Sequence, residues 1–451
     1  MYLVAGLGVT GQSVLRYFHS QGENCLAFDT RADFDISSLQ QEFSEVEFAL
    51  QELPSGWLPR FDTVVLSPGI SKAEPWVEAL RRSGKQVIGD IELFARAVGA
   101  PVIAITGSNG KSTVTTLTGM ALQQAGYQVG VGGNIGEPAL DLLIDDNEYD
   151  VYVLELSSFQ LETTYSLQTE SSTVLNISED HMDRYNGIED YIQAKTKVFA
   201  DTEFAVIPFG FSEFAMVHHG QLLHFGLKQV NELTDMDYGI VELDGKLYLG
   251  HGQTAQVAIE DMLLQGGHHQ LNALAMLALC RPFQVENTHF IEVLKRFNGL
   301  PHRTQLIANH NQISWVNDSK GTNVGATITA IESLGAACSG ELVLIAGGVG
   351  KDADFSGLKI PVEQFCKTVV LFGRDREDIY HAIQATDLQN EREVDVLLVE
   401  DLNEAVNRAK QIATSGDCVL FSPACASFDQ FSNYVQRGEV FESLVKQCCV
   451  E

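Results

Sequence analysis

The 451-residue sequence predicts three successive α/β domains, each with a mostly parallel sheet covered on both faces by helices. Two observations predict it. At about 150 residues per domain the length suits three, and three stretches each run from a short β-branched strand through glycines into a helix. The first is Tyr2-Leu3-Val4-Ala5 into Gly6–Gly11, followed by a helix with Val14, Leu15 and Phe18 inward and Gly22 as its stop. The second is Pro101–Ile105 into Gly107–Thr113, and the third is Leu342–Ala346 into Gly347–Lys351. After the third, strands at Val369–Phe372 and Val396–Val399 precede a helix with Leu402, Ala405, Val406, Ala409, Ile412 and Ala413. Gly416 is expected to end that helix, before a strand at Cys418–Ser422. The stretch Phe204–Val257 is less regular, but Ile240–Leu243 and Leu247–Leu249 flank Asp244-Gly245 as a β-hairpin. Joints near Gly89-Asp90 and Gly299-Leu300-Pro301 set expected domains of 1–89, 90–299 and 300–451.

Charge narrows the partners. Twenty-nine Lys and Arg against sixty Asp and Glu give a net charge of −31, a field that repels nucleic acid and anionic membranes. A phosphorylated substrate would need local cations, glycine-rich backbone or metal ions to hold it. No apolar run approaches the ~18 residues of a membrane span; Ala273–Cys280 is the longest near-candidate. No basic residue precedes Arg16, which argues against a signal peptide. The eight cysteines, with no Cys-x-x-Cys spacing, are expected to be free thiols in a reducing compartment. A cytoplasmic location is expected.

Four motifs carry candidate chemistry. Gly6-x-Gly8-x-x-Gly11 after a strand, with Asp29 ending the next, fits a Rossmann-like dinucleotide fingerprint. It fits tight helix–strand packing equally well, and on its own would suggest an NAD dehydrogenase. Gly107-Ser108-Asn109-Gly110-Lys111-Ser112-Thr113 is a phosphate loop in context, although Ile105 stands where the strict pattern wants its first glycine. There backbone N–H groups would cradle ATP phosphates, Lys111 would reach the outer ones, and Ser112 or Thr113 could ligate Mg²⁺. Asp150–Glu155 is an apolar strand ending in a carboxylate, the place for a Mg²⁺-organising acid; taken alone, Glu155 would be a solvated strand end. Ser157, Ser158 and Gln160 follow it. Ser178–Arg184, after a strand at Thr173–Ile177, offers His181 as a second metal ligand. Lys195, in a helix starting near Ile188, reads by itself as a solvated charge. His218-His219 and His268-His269 are not expected to share a ligand, since neighbours on a strand face opposite ways.

Together with Leu300–Arg303, Asn317–Lys320 and Ser422–Ser427, these motifs occur in an order and spacing that resemble the Mur ligases of peptidoglycan precursor synthesis. The resemblance covers essentially the whole chain. It implies a Rossmann-like N-terminal domain for a UDP-substrate, a central P-loop ATPase-type domain and a Rossmann-like C-terminal domain for the amino acid. The implied reaction is ATP-dependent attachment of D-glutamate to UDP-N-acetylmuramoyl-L-alanine through an acyl phosphate. By position Gly8, Val9, Thr10, Asp29, Thr30, Arg31, Asn134, Ser157, Gln160 and His181 match the UDP-substrate site. Gly107 to Thr113, Asn272, Arg303 and Asp318 match the ATP site. Ser112, Glu155, His181 and Lys195 match the ligands of a pair of Mg²⁺ ions, Lys195 through a carbamate formed with CO₂. Lys111, Glu155, His181 and Lys195 thereby become the implied catalytic set. Thr322, Lys351, Ser427, Phe428 and Tyr434 match the D-glutamate site.

Small-molecule substrates and a monomer are expected. Three departures stand out. His269 precedes Asn272 where the family often has asparagine, Gly321 stands for a frequent alanine, and Tyr434 for a frequent phenylalanine. Gly321 is expected to loosen a helix start by up to ~1 kcal/mol. A dehydrogenase would leave Lys111 and Glu155 unexplained. A folate-type ligase lacks use for Gly6–Gly11, no Asp-Asn-Pro-Arg marks a diaminopimelate adder, and a scaffold would not need Glu155, His181 and Lys195.

Overall fold

Each of the three predicted strand–glycine–helix starts is an interior strand of its own sheet. In the computed structural model, which describes residues 1–182, 184–211, 220–229, 233–264, 266–351, 353–384 and 394–450, there are three sheets. The N-terminal sheet is fully parallel, with Tyr2–Ala5 central between Cys25–Asp29 and Thr63–Leu66, and Glu47–Leu50 and Gln86–Ile88 at its edges. Its core packs Leu3, Leu26, Phe61, Val64 and Val77. The helix Val9–Gln21 ends where expected, at Gly22 in the left-handed conformation.

The second sheet has nine strands. Val102–Thr106 lies between Val151–Glu155 and Thr169–Val174, all parallel, and the hairpin at Asp244-Gly245 extends the far edge through antiparallel Asp237–Leu243 and Lys246–His251. The strand expected at Thr173–Ile177 is shifted toward the N-terminus, to Thr169–Val174, which frees Asn176 for the phosphate loop. Ile105 pairs with Glu155, so the loop after one strand and the carboxylate ending the other emerge at the same edge.

The third sheet has six strands with Leu342–Gly347 between Cys418–Phe421 and Cys366–Phe372, plus an antiparallel edge at Gln305–His310. Helices bury apolar faces on both sides of it. The helix Leu402–Ile412 is capped by Asp401 but stops at Ala413, and Gly416 serves the following turn, where Asp417 accepts from the Thr414 amide. The described cysteines are all free thiols, most of them buried. Among the described residues no helix is long and apolar enough to cross a membrane.

The chain divides into two compact units: 1–176 with 189–258 and 272–293, and 177–188 with 259–271 and 294–451. His218, His219 and Asp183 lie outside the described residues.

Candidate active site

The phosphate loop is shaped by what it must approach. Gly110 has φ +80°, and a Cβ there would lie 2.8 Å from Asn272 Oδ1, so only glycine fits beside that side chain. Asn176 ties the loop down: its Oδ1 accepts from the Asn109 amide at 2.8 Å and its Nδ2 donates to the Asn109 carbonyl at 3.0 Å. Ser108 N–H donates to the Asn176 carbonyl at 3.0 Å. Lys111 opens the helix Lys111–Gln124 and folds over the loop, its Nζ donating to the Gly107 and Ser108 carbonyls at 2.8 Å each. A cation, a helix N-terminus and a glycine loop converge there, which is the chemistry of a polyphosphate cradle. Thr113 is part-buried in the first turn of the same helix.

Glu155 is 3% exposed, not the solvated strand end that its position alone suggested. One of its oxygens accepts from Ser112 Oγ at 2.5 Å and the other from Asn134 Nδ2 at 2.9 Å. A hydroxyl and a carboxylate, both hard oxygen donors beside a phosphate loop, fit Mg²⁺. Among the described residues no group of three or more His, Cys, Asp or Glu gathers as a metal cluster.

Lys195 corrects the single-residue reading most sharply. It is 2% exposed, and its Nζ donates to the Gly107 carbonyl at 2.9 Å and contacts Thr106 Oγ1 at 3.4 Å. The Tyr191 ring centroid is 4.6 Å from Nζ, and the Tyr191 hydroxyl meets Ser108 Oγ at 3.2 Å. The helix Ile188–Thr196 thus delivers its lysine to the underside of the phosphate loop.

In the N-terminal sheet Asp29 is consumed by the loop that it was expected to complement. It accepts from the Leu7 amide at 2.7 Å and from Arg31 Nε and Nη2 at 2.8 Å each. Burial pushes its pKa up, but the Arg31 fork and the Leu7 and Arg31 amides outweigh it and hold the carboxyl at about 2. Arg31 also stacks on Phe34, its guanidinium carbon 4.0 Å from the ring centroid. Gly8, Val9 and Thr10 follow Leu7 in sequence and Thr30 follows Asp29, Val9 and Thr30 being exposed.

The second unit carries the other matched residues. Asp180 meets Lys351 Nζ and His181 Nε2 at 3.7 Å each and accepts from Asn323 Nδ2 at 3.3 Å. Lys320 lies over the Tyr434 ring at 4.1 Å, Ser427 is buried, and Phe428 is 71% exposed. The Thr322 amide donates to the Lys320 carbonyl. Arg303 precedes Thr304, whose amide donates to Asp318 Oδ1 at 3.0 Å, and Ser422 Oγ donates to Asp318 Oδ2 at 2.7 Å. Burial lifts the Asp318 pKa to about 6, against the pull of Ser422, Thr304 and Arg303.

Two expectations change here. Gly321 does not start a helix: that helix is Val324–Ala337, capped by Asn323. A Cβ at 321 would lie 2.6 Å from both Asp318 Oδ2 and Ser422 Oγ, so the glycine protects their hydrogen bond. His268 and His269 lie in the first turn of the helix Gly267–Leu279, not in a strand, and their ring centroids are 3.8 Å apart. Burial lowers both pKa values, to about 4 and about 3, keeping the imidazoles neutral.

The sequence reading gave Ser422 no role beyond its place in a motif and missed Arg437. Arg437 is 1% exposed and donates to Ser319 Oγ and the Ser319 and Cys425 carbonyls, pinning two of the motif loops together. Ser422→Ala is expected to lower unfolding stability by about 1–3 kcal/mol at pH 8, measured by urea denaturation. The loss should be smaller at pH 5. A carboxyl whose folded pKa is raised loses stability as pH rises from its unfolded value, 3.8, to its folded value, about 6; removing Ser422 raises the folded value further, so the extra loss builds above that pH. An equal loss at both pH values would contradict the role given to Asp318.

Family models match along the length of the chain: "Mur ligase MurD-like, N-terminal domain" over residues 1–89, "Mur ligase middle domain" over 105–280, and "Mur ligase, glutamate ligase domain" over 302–425. A UDP-N-acetylmuramoylalanine–D-glutamate ligase of Hydrogenovibrio crunogenus is 58% identical over 99% of this chain and 98% of that protein. The chain belongs to the Mur ligase family. A ligase of the same name from Legionella pneumophila is 42% identical over 99% of each chain. Among solved structures, a pseudomurein peptide ligase type C from Methanothermus fervidus superposes with a TM-score of 0.62 at 15% identity over 99% of both chains. A UDP-N-acetylmuramate-alanine ligase of Thermotoga maritima gives 0.59 at 17% identity, again over 99% of both. These two share the Mur ligase fold, and the three α/β domains expected from the sequence are those of the family.

Proposed function

We propose that this Mur ligase joins D-glutamate to UDP-N-acetylmuramoyl-L-alanine at the expense of ATP, as a cytoplasmic monomer with domains 1–89, 90–299 and 300–451. The end-to-end likeness to proteins of that name, at 58% identity over 99% of the chain, carries the reading. The chemistry of the site supports it. A carboxylate does not form an amide unaided, so the γ-phosphoryl group of ATP passes to an oxygen of the L-alanyl carboxylate, giving an acyl phosphate and ADP. The D-glutamate amine then attacks the acyl carbon, the tetrahedral intermediate collapses, inorganic phosphate leaves, and the amine proton is lost.

Lys111 and the loop amides neutralise charge on the moving phosphoryl group. Ser112 and Glu155 would hold Mg²⁺, which when bound supplies further charge neutralisation. His181 and a carbamylated Lys195 would complete the ligand set of a second ion. Asn272, Arg303 and Asp318 hold the nucleotide. Gly8 to Thr10, Asp29 to Arg31, Asn134, Ser157 and Gln160 hold the UDP-substrate. Lys351, Ser427 and Thr322 receive the D-glutamate carboxylates, with Phe428 and Tyr434 beside them. In a protein of charge −31 these few cations are what admit three anionic substrates.

The deciding experiment is phosphate release from ATP and Mg²⁺ with UDP-N-acetylmuramoyl-L-alanine, comparing D-glutamate, L-glutamate and no amino acid. Release with D-glutamate only is expected. Release with a different amino acid would move the specificity within the family, and none under any condition would overturn the reading.

A further inference from the structure

The first turn of the helix Asp90–Ala97 carries two buried carboxylates that the proposed reaction leaves unused. Glu92 is fully engaged: it accepts from the Tyr165 and Ser166 amides, Ser166 Oγ and Arg96, and so anchors the chain after the helix Ser158–Glu162. Asp90 differs. It is 4% exposed, its Oδ2 accepts from Gln160 Nε2 at 3.0 Å, and its Oδ1 has no hydrogen-bond partner among the described residues. Burial lifts its pKa to about 6, against the pull of Gln160 and of the Asp90 and Ile91 amides. A buried carboxylate with so little compensation is a poor stabiliser, and an apolar residue of similar volume would often serve stability better.

What Asp90 does accomplish is visible in Gln160. A carboxamide can sit either way round, and its two ends differ only by donor and acceptor. Asp90, an acceptor, compels Nε2 to face it. Oε1 then has to face Ser157, where it accepts from the backbone N–H and from Oγ, each at 3.1 Å. The Gln160 amide donates back to Ser157 Oγ, closing a capping box two residues beyond Glu155. We propose that Asp90 is a positioning residue that fixes the orientation of the Gln160 carboxamide, and with it the polar edge that Ser157 and Gln160 present to the UDP-substrate. The inference rests on the ligase reading and on the assignment of Gln160 to that substrate.

The test is steady-state kinetics on the full chain, varying each substrate in turn. Asp90→Leu keeps the branched side-chain shape, with bulkier methyl ends, and removes the acceptor. It is expected to raise KM for UDP-N-acetylmuramoyl-L-alanine about tenfold, with KM for ATP and for D-glutamate within about twofold. Asp90→Asn keeps one acceptor oxygen and should restore most of the loss. In a Gln160→Ala background, Asp90→Leu should add less than about twofold, because the two residues act as one unit. If Asp90→Leu does not fold, Asp90→Ala takes its place in the same cycle. An unchanged KM for the UDP-substrate, equal rises in all three KM values, or full additivity with Gln160→Ala would overturn the inference. Wild-type protein without D-glutamate-dependent phosphate release would instead overturn the ligase reading, before any variant is made.

Discussion

Lys111→Ala is expected to cut D-glutamate-dependent phosphate release by at least about a thousandfold, equivalent to about 4 kcal/mol of transition-state stabilisation. Fold and melting temperature should barely change. The residue opens its helix, where alanine is at least as good a helix former. Two carbonyls of its own loop accept from its ammonium, hydrogen bonds whose loss costs far less than the catalytic effect. What disappears is the side-chain cation beside a loop of backbone dipoles, in a protein whose overall field opposes ATP. Lys111→Arg should recover little, since a planar fork cannot occupy the place of a compact ammonium above the Gly107 and Ser108 carbonyls. Activity of Lys111→Ala within tenfold of wild type, with the melting temperature unchanged, would remove the phosphate-loop assignment.

The glycine loops were legible in the sequence because their signals are local: a strand, a turn that only glycine can make, a helix start. The three sheets follow from them, and so does the hairpin at Asp244-Gly245. Burial of single polar residues was not legible, because it is decided by partners far along the chain. Glu155 becomes an inner carboxylate with Ser112 and Asn134 as partners, and Lys195 meets carbonyl and hydroxyl groups at the strand end Thr106-Gly107. The His268-His269 pair lies in a helix, where the opposite-facing geometry of a strand does not apply. Burial of Ala273–Cys280 extends the helix back across those residues, tertiary packing overriding a weak local preference. Gly321 was read through helix propensity, whereas its constraint is a close approach by Asp318 and Ser422. The Ser157-x-x-Gln160 capping signature was available in the sequence and would have marked the helix start after Glu155. Nothing in it could have announced Asp90, seventy residues before its partner.

Lys195→Ala tests the boldest assignment, that this lysine works as a carbamate. The charge argument makes the outcomes distinct. An unmodified lysine beneath the loop brings a positive charge to the phosphates; a carbamate reverses that sign and offers metal-binding oxygens. Carbamylation requires the neutral amine, whose nitrogen attacks CO₂ and loses a proton, so the side chain changes from cation to anion. Truncation to alanine removes a side-chain end that lies beside the Gly107 carbonyl, Thr106 Oγ1 and the Tyr191 ring, and a small carboxylate has no more heavy atoms than the part removed. Activity is expected to fall at least about a hundredfold. Formate or acetate should restore a measurable part, while chloride at equal ionic strength restores none. Methylammonium, a stand-in for the unmodified side chain, should fail where formate succeeds. Rescue by the amine alone would establish a cationic role and exclude the carbamate. Failure of both, in a variant that melts like wild type, would also remove it. A ¹³C carbamate resonance in wild-type protein equilibrated with labelled bicarbonate, and its absence in Lys195→Ala, would place the modification on this side chain independently of turnover.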